Sequence, residues 1–465
     1  MGWIFRSATE LAEAIASRKV SSEEVVREHL HRIDVVNPTL NAIVARLDDE
    51  ALADARHADE ELTRGKRRGP LHGVPVTLKE SLSMAGKVTS CGSTMLQQNV
   101  TPESATAVAR LRAAGAIPIG RTNVPDMGMD AQTHNLVWGV TRNPWDQALT
   151  CGGSSGGEAA AIAAGMSPLG LGSDVAGSVR IPASFCGILG LKPTQNRVSI
   201  AGHVPLVLPD YLQIGPLARS IDDLELALSI IAGPDGKQSL IPPVPLQPSS
   251  EVRAKELRIG IINGNGTTPI SHAVNDGMAR AALAAVDAGH HVEPAEIPGV
   301  EDVLLCLSRI YGVALSALCR NVRHNPERYH PYLAQLEELF GAPTAREVEE
   351  AYRLREELRA RMMECFARHD LLICPQVTIP AFPIGTTWNE VELDGAKVPL
   401  VSTLVYSFLV NVTGNPSLAM PTGLSDGLPI GVQIVGRMWD EPTILAAARP
   451  LLDALGGVPA PPKLP

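Results

Sequence analysis

The sequence predicts an α/β fold, a large and mostly parallel mixed β-sheet covered by helices on both faces. Three observations predict it. The stretch SATAVARLRAAGAIPIG reads as a helix from about Ser104, a stop at Gly115 and a short strand at Ile117 to Ile119. The same helix-glycine-strand unit recurs in HAVNDGMARAALAAVDAGHHVEPAEI around Gly289, directly after the strand-like LRIGII at 257–262. Alternation of this kind places helices over strands that run parallel. The chain also has the means to fill such a core, with 465 residues of which 45% are hydrophobic.

Taken in order, Ser7 to Glu10 and Ser21 to Glu24 match the S/T-x-x-E capping box, and each opens a run with apolar residues at helical spacing. Asn37-Pro38 is expected to end the second helix, and a charged helix spans about Asp48 to Thr63, so a helical segment fills about 1–65. In GPLHGVPVTLKE, Val74, Val76 and Leu78 alternate as in a strand, with Lys79 at its end. The core of the fold is placed at about 70–230. The proline-rich stretch within about 234–256 reads as a surface connection. A domain boundary and a long loop both fit there; alternation continuing on either side leads us to treat 1–465 as one domain. Two helices, Val303 to Leu318 and Arg346 to Phe366, and the buried strand LLICP follow, and residues about 300–345, where Leu304, Leu305, Leu307, Ile310 and Tyr311 precede a polar loop, are expected to shape a pocket in a way the sequence does not specify.

Composition narrows the function. A formal charge of -10 leaves no excess cation for phosphate backbones, so no nucleic-acid partner is expected. Seven scattered cysteines without CxxC spacing read as reduced thiols, and the N-terminus lacks the pattern of a signal peptide. No apolar run reaches the ~18 residues of a membrane span, so a cytoplasmic protein with no membrane partner is expected. Neither HExxH spacing nor an Asp-rich loop occurs, and no GxGxxG or Walker loop, so no metal and no cofactor are expected. The expected partners are a small-molecule substrate and at most a second copy of the chain, as a homodimer.

The chemistry is concentrated in serines and one lysine. CGGSSGGEAAAIAAG exposes Ser154 and Ser155 among glycines before an alanine-rich segment, and GSDVAGSVR places Ser178 behind Ala176 and Gly177. Taken alone, each loop is equally a tight turn or an anion nest. Gly152 to Gly156 also satisfies G-x-S-x-G with Ser154 at its centre, but RNPWDQALTC before it is not the apolar strand a nucleophile elbow needs. A serine hydroxyl needs a base, and a lysine whose pKa is lowered by burial serves as one. Lys79 is the candidate, against the plain reading of a solvated lysine at a strand end. Val175, Ala176, Gly177 and Ser178 offer successive backbone N–H groups to a developing oxyanion.

GGSSGGEAAAIAAG followed by GLGSDVAGSVRIPASFCGILGLKPT resembles the signature segment of the amidase signature family, serine hydrolases with a Ser-cisSer-Lys triad. GPLHGVPVTLKE, GRTNVPDMGMD, GVTRNPW and NPSLAMPTGLSDGLPIGVQIVG resemble further segments of that family. The resemblance implies that Ser178 is the nucleophile, Ser154 a bridging serine on a cis peptide, and Lys79 the base. It also implies supporting roles for Ser155, Asp174 and Arg180, and a substrate-binding position for Met127, Gly128 and Met129, where core filling is an equal alternative. Ala176 stands where many relatives have glycine, Cys151 where proline is common, and Asp126 where glutamate is frequent.

The implied activity is an amidohydrolase that cleaves the C–N bond of small or aryl-bearing amides, anilides and carbamates included. Two alternatives stand beside it. One is the A-type subunit of a tRNA-dependent amidotransferase; YRLREELRARMMECFARHD and LVYSFLVNVTGNP lack features of that branch, which favours a free hydrolase. The other is an ordinary α/β-hydrolase with Ser154 as nucleophile and a late histidine such as His369. Cys151 is a rival nucleophile only if the fold brings a histidine to it.

Overall fold

The computed structural model describes residues 2–264, 268–460 and 464, apart from the side chains of 318–321 and 323. Among these residues one sheet has eleven strands. In chain order they are β1 (Ile43–Arg46), β2 (Pro75–Lys79), β3 (Ile117–Thr122), β4 (Leu169–Asp174), β5 (Leu189–Lys192) and β6 (Gln213–Ala218). They continue as β7 (Arg258–Ile261), β8 (His291–Pro294), β9 (Leu371–Pro375), β10 (Ser417–Ser425) and β11 (Leu428–Gly436). Across the sheet the order is β1-β3-β2-β4-β6-β5-β10-β11-β9-β7-β8.

The α/β architecture is as the alternation predicts, but the sheet holds less parallel pairing than expected. Parallel pairs join β3, β2 and β4 on one flank and β9, β7 and β8 on the other. The pairs between them, from β4 across to β9, are antiparallel, as is β1 on β3. The helix-glycine-strand unit that suggested a parallel sheet lies on these flanks. The β10–β11 hairpin in the middle was hidden by its prolines: Pro421 borders a shift in register and Pro429 lies next to the turn, where a missing N–H is tolerated.

Side chains alternate cleanly between the two faces. Leu371 and Ile373 of β9 pack with Val432 and Ile434 of β11 under the helices Ile221–Ile231, His272–Asp287 and Glu441–Ala454. Leu372 and Cys374 point to the opposite face, into a cluster with the helices Asp302–His324, Ala345–Arg368 and Val405–Thr413. On that same face, under β3, the helices Ser22–Leu40 and Gly156–Ala163 form a third cluster.

Both expected capping boxes form, Ser7 with Glu10 and Ser21 with Glu24, and a helix spans Asp48–Thr63. Pro38 does not end its helix. It sits in the last turn of Ser22–Leu40, and the carbonyl it leaves free belongs to the exposed Asp34; Asn41, at φ 53°, makes the stop. The two late helices run over Asp302–His324 and Ala345–Arg368, and between them lies an additional one, Tyr332–Phe340.

Candidate active site

Two parallel strands end side by side and two helices begin above them. In the β2–β4 pairing Thr77 lies opposite Gly170 and Leu78 opposite Leu171, so Lys79 and Ser173 leave the sheet together at its carboxyl edge. In α/β sheets this edge is where ligands bind. Ser154 and Ser155 directly precede the helix Gly156–Ala163, and Ser178 precedes the helix Arg180–Cys186. The Ser155 N–H donates to the Ser178 carbonyl over 3.0 Å, which ties the two loops together. The Gly153–Ser154 peptide is cis. Gly177 has φ 106°, and a Cβ there would stand 2.8 Å from Ser407 Cβ, so the loop admits only glycine.

Lys79 is not a surface lysine: it is 1% exposed. Its Nζ donates to Ser154 Oγ at 2.7 Å, to Ser173 Oγ at 2.9 Å and to the Ser173 carbonyl at 3.3 Å. Burial lowers the ammonium from its ordinary 10.5 to about 8, against the pull of the Asp174 and Glu158 carboxylates, which favour the charged form. Glu158 is itself fully buried, holding hydroxyl bonds from Thr77 and Thr122, and burial pushes its carboxyl up to about 8. Ser178 lines the same cavity as Lys79 and Ser154. Among the described residues its hydroxyl makes no hydrogen bond, so it faces the cavity unengaged.

The loop before Ser178 is held from behind. Asp174 receives the Gly177 N–H at 2.7 Å and the Val179 N–H at 3.1 Å, and Arg180 grips both its oxygens at 3.0 and 3.1 Å. Arg180 also donates to Gln433, Asn411 and the Ser407 carbonyl. Burial by itself would raise the Asp174 carboxyl; the Arg180 guanidinium outweighs it and holds the acid well below the carboxylate range. Of the four backbone groups expected to serve an oxyanion, Gly177 is therefore already committed, while those of Val175, Ala176 and Ser178 have no acceptor among the described residues. Ser155 plays its part through Oγ, which donates to the Ser173 carbonyl at 3.2 Å.

Over these groups lies a largely apolar cavity. Met127, Gly128 and Met129 line it, as do Leu307, Tyr311 and Leu315 of Asp302–His324, Leu336 and Phe340 of Tyr332–Phe340, and Trp388 and Phe408. Asp126 anchors this cover: its carboxylate accepts the His330 N–H at 2.9 Å and its carbonyl the Tyr332 hydroxyl at 2.6 Å. Sequence reasoning placed pocket-shaping residues within about 300–345, Leu307 and Tyr311 among them, without saying how they cover the site, and it named none of Ser173, Glu158 and His203. His203 Nε2 lies 2.9 Å from Ser173 Oγ, and HVP at 203–205 carries no motif that would have flagged it.

Other expected partnerships do not form. His369 is engaged with the Cys365 carbonyl and Glu293 and does not line the cavity with Ser154, which removes the ordinary α/β-hydrolase arrangement. Cys151 is buried against the Thr141 carbonyl, has no histidine among its hydrogen-bond partners, and burial pushes its thiol up to about 12. Among the described residues no three His, Cys, Asp or Glu side chains are grouped to hold a metal ion. Nor, among them, is any helix long and apolar enough to cross a membrane.

Lys79 and Ser154, buried and hydrogen-bonded, share one cavity with the unengaged Ser178 at the carboxyl edge of this sheet, the arrangement expected of a serine hydrolase whose base is a lysine. The Amidase family model matches residues 24–445, and the chain belongs to the amidase signature family. It is an amidohydrolase of that family, acting on C–N bonds. The A-type subunit of the glutamyl-tRNA(Gln) amidotransferase from Sulfurihydrogenibium sp. (strain YO3AOP1) is 32% identical, covering 95% of this chain and 96% of the relative. A solved structure from a vestigial protein complex revealing the evolutionary origins of an s-triazine catabolic enzyme superposes with TM-score 0.90 at 32% identity, covering 98% of this chain and 100% of that one. A bacterial aryl acylamidase superposes with TM-score 0.88 at 27% identity, covering 97% and 96%.

These relatives correct one expectation and reorder another. The exclusion of a nucleic-acid partner does not stand, because the curated relatives bear the name of a tRNA amidotransferase component. Net charge bears on phosphate binding by this chain alone and is silent about an assembly. The same name matches the amidotransferase alternative better than the free amidase that was the leading expectation.

Proposed function

We propose that the chain hydrolyses amides bearing a bulky apolar or aryl group, anilides and carbamates among them, through an acyl-enzyme on Ser178. The cavity carries this reading. Its wall is mostly apolar, and the ionisable groups on it are satisfied within the protein: Lys79 by Ser154 and Ser173, His203 by Ser173 and Pro205, Asp130 by His134 and the Ala131 N–H. Among the described residues, a free amino acid's ammonium and carboxylate would find no unengaged charge there.

In this scheme neutral Lys79 takes the Ser154 proton as Ser154 takes that of Ser178, and Ser178 Oγ bonds to the carbonyl carbon. The N–H groups of Val175, Ala176 and Ser178 face the oxyanion, while Gly177 stays with Asp174. The proton returns through Ser154 to the leaving nitrogen as the C–N bond breaks; water, deprotonated by the same route, then releases the acid. The Ser154–Ser178 hydrogen bond belongs to the substrate complex.

The curated relatives support a second reading, and by name support it better: the A-type component of a tRNA-dependent amidotransferase, the same attack serving glutamine within an assembly. Wild type and Ser178→Ala are compared on p-nitroanilides, aryl carbamates, and glutamine with and without tRNA and any co-purifying protein. Anilide or carbamate turnover that Ser178→Ala abolishes is the expected result. Turnover of glutamine alone, dependent on tRNA and a partner, replaces the first reading with the second, and activity retained by Ser178→Ala sinks both.

A further inference from the structure

We propose that His203 is a positioning residue for Lys79, acting through the Ser173 hydroxyl to aim the amine's lone pair at Ser154. The inference rests on the reading of Lys79 as the base. It begins from one hydrogen bond with only one possible polarity: His203 Nδ1 lies 2.9 Å from the Pro205 carbonyl, which can only accept, so Nδ1 carries the proton. In the neutral ring Nε2 is then bare, and at 2.9 Å from Ser173 Oγ it accepts the Ser173 proton. With its proton spent, Ser173 Oγ can only accept from Lys79 Nζ, 2.9 Å away. The Ser173 carbonyl, 3.3 Å from the same nitrogen, takes a second N–H.

A neutral amine has two N–H bonds and one lone pair. When both N–H groups are drawn to the two oxygens of Ser173, the lone pair is left for Ser154 Oγ at 2.7 Å. The imidazole stays neutral over the working range, because burial and the neighbouring Lys79 lower it to about 3. It is also held in place: the His203 N–H donates to the Ile200 carbonyl at 3.0 Å, and the following Val204 N–H to the Ser81 carbonyl at 2.8 Å, two residues beyond Lys79. Without the imidazole, Ser173 is free to turn its hydroxyl proton toward the amine. That would occupy the lone pair Ser154 needs, and would favour the neutral over the charged amine.

The test compares His203→Leu, which removes the acceptor, with His203→Gln, whose carbonyl reaches about as far as Nε2, using an anilide substrate that the wild type turns over. We expect His203→Leu to lower kcat at least tenfold with little change in KM, and to move the alkaline inflection of kcat/KM to lower pH; His203→Gln should recover most of both. A double-mutant cycle with Ser173→Ala should be strongly non-additive, His203→Leu costing little once Ser173 has lost its hydroxyl. Wild-type kcat and inflection in His203→Leu, no recovery by His203→Gln, or an additive cycle would each overturn the proposal. Should His203→Leu not fold, Ser173→Ala with and without His203→Gln gives the same answer: any further large loss from His203→Gln overturns it. Activity surviving Lys79→Met is a different failure, that of the base itself, and is read from that variant alone.

Discussion

The proton on Lys79 should be visible twice, in turnover and in stability. Burial takes the amine from 10.5 to about 8, and with the side chain 1% exposed there is little solvent screening to discount. A shift of that size is worth about 3 kcal/mol, at roughly 1.4 kcal/mol per pH unit. For turnover, the neutral fraction rises from roughly a tenth at pH 7 to a half at pH 8, so kcat/KM should climb about fivefold over that interval and less than twofold beyond it. For stability the sign follows from proton counts. The folded pKa lies below the unfolded one, so between 8 and 10.5 the unfolded chain holds more protons. The contribution is therefore fully present above 10.5 and is lost as pH falls to about 8. Urea unfolding of wild type and Lys79→Met at each half pH unit isolates most of it, since titrating groups not coupled to Lys79 cancel in the difference and the coupled Glu158 titrates at the lower end of the window. Wild type should gain about 3 kcal/mol on the variant across that window, whatever constant offset the lost hydrogen bonds to Ser154 and Ser173 impose. A kcat/KM that is flat from pH 6.5 to 9, or two stability curves that stay parallel, would refute the lowered amine.

Two further outcomes follow from neighbouring charges. Glu158 favours the protonated amine, so Glu158→Gln should move the inflection of kcat/KM below that of wild type, and an upward move would show that the two groups are not coupled as the geometry implies. Arg180→Met strips Asp174 of its bidentate partner and leaves a buried carboxylate unpaired; a loss of about 3–5 kcal/mol in denaturant unfolding is expected, and a loss under 1 kcal/mol would mean Asn411 and the loop N–H groups suffice without the cation.

How much of this was legible in the sequence follows from the range of each interaction. Lys79 could be located because the alternation of VPVTLK ends at it, and Ser154 and Ser178 because glycines crowd around them, but these local patterns left their roles open, and the roles came from the family resemblance. The cover was legible only as a region, about 300–345, and not in how its helices close over the site. Leu307, Leu315 and Leu336 have the same apolar spacing whether a helix faces core or cavity, and Tyr332–Phe340 opens after His330-Pro331 in a stretch whose polarity reads as loop. The partners of the base were not legible either, since Ser173 meets His203 30 residues later and Glu158 meets Thr77 81 residues earlier. Register decides these meetings. In β4 the pattern LGLGSD sets Gly170 and Gly172 toward the helix that carries Ser155 and Glu158, and a Cβ at Gly172 would stand 2.7 Å from Ser155 Oγ. A slip of one residue would turn Leu169 and Leu171 onto that helix and turn Ser173 away from His203. These glycines therefore hold the helix bearing the serine loop close enough for Lys79 to reach Ser154, so the environment of the base is set by a pairing that no local stretch of the chain encodes.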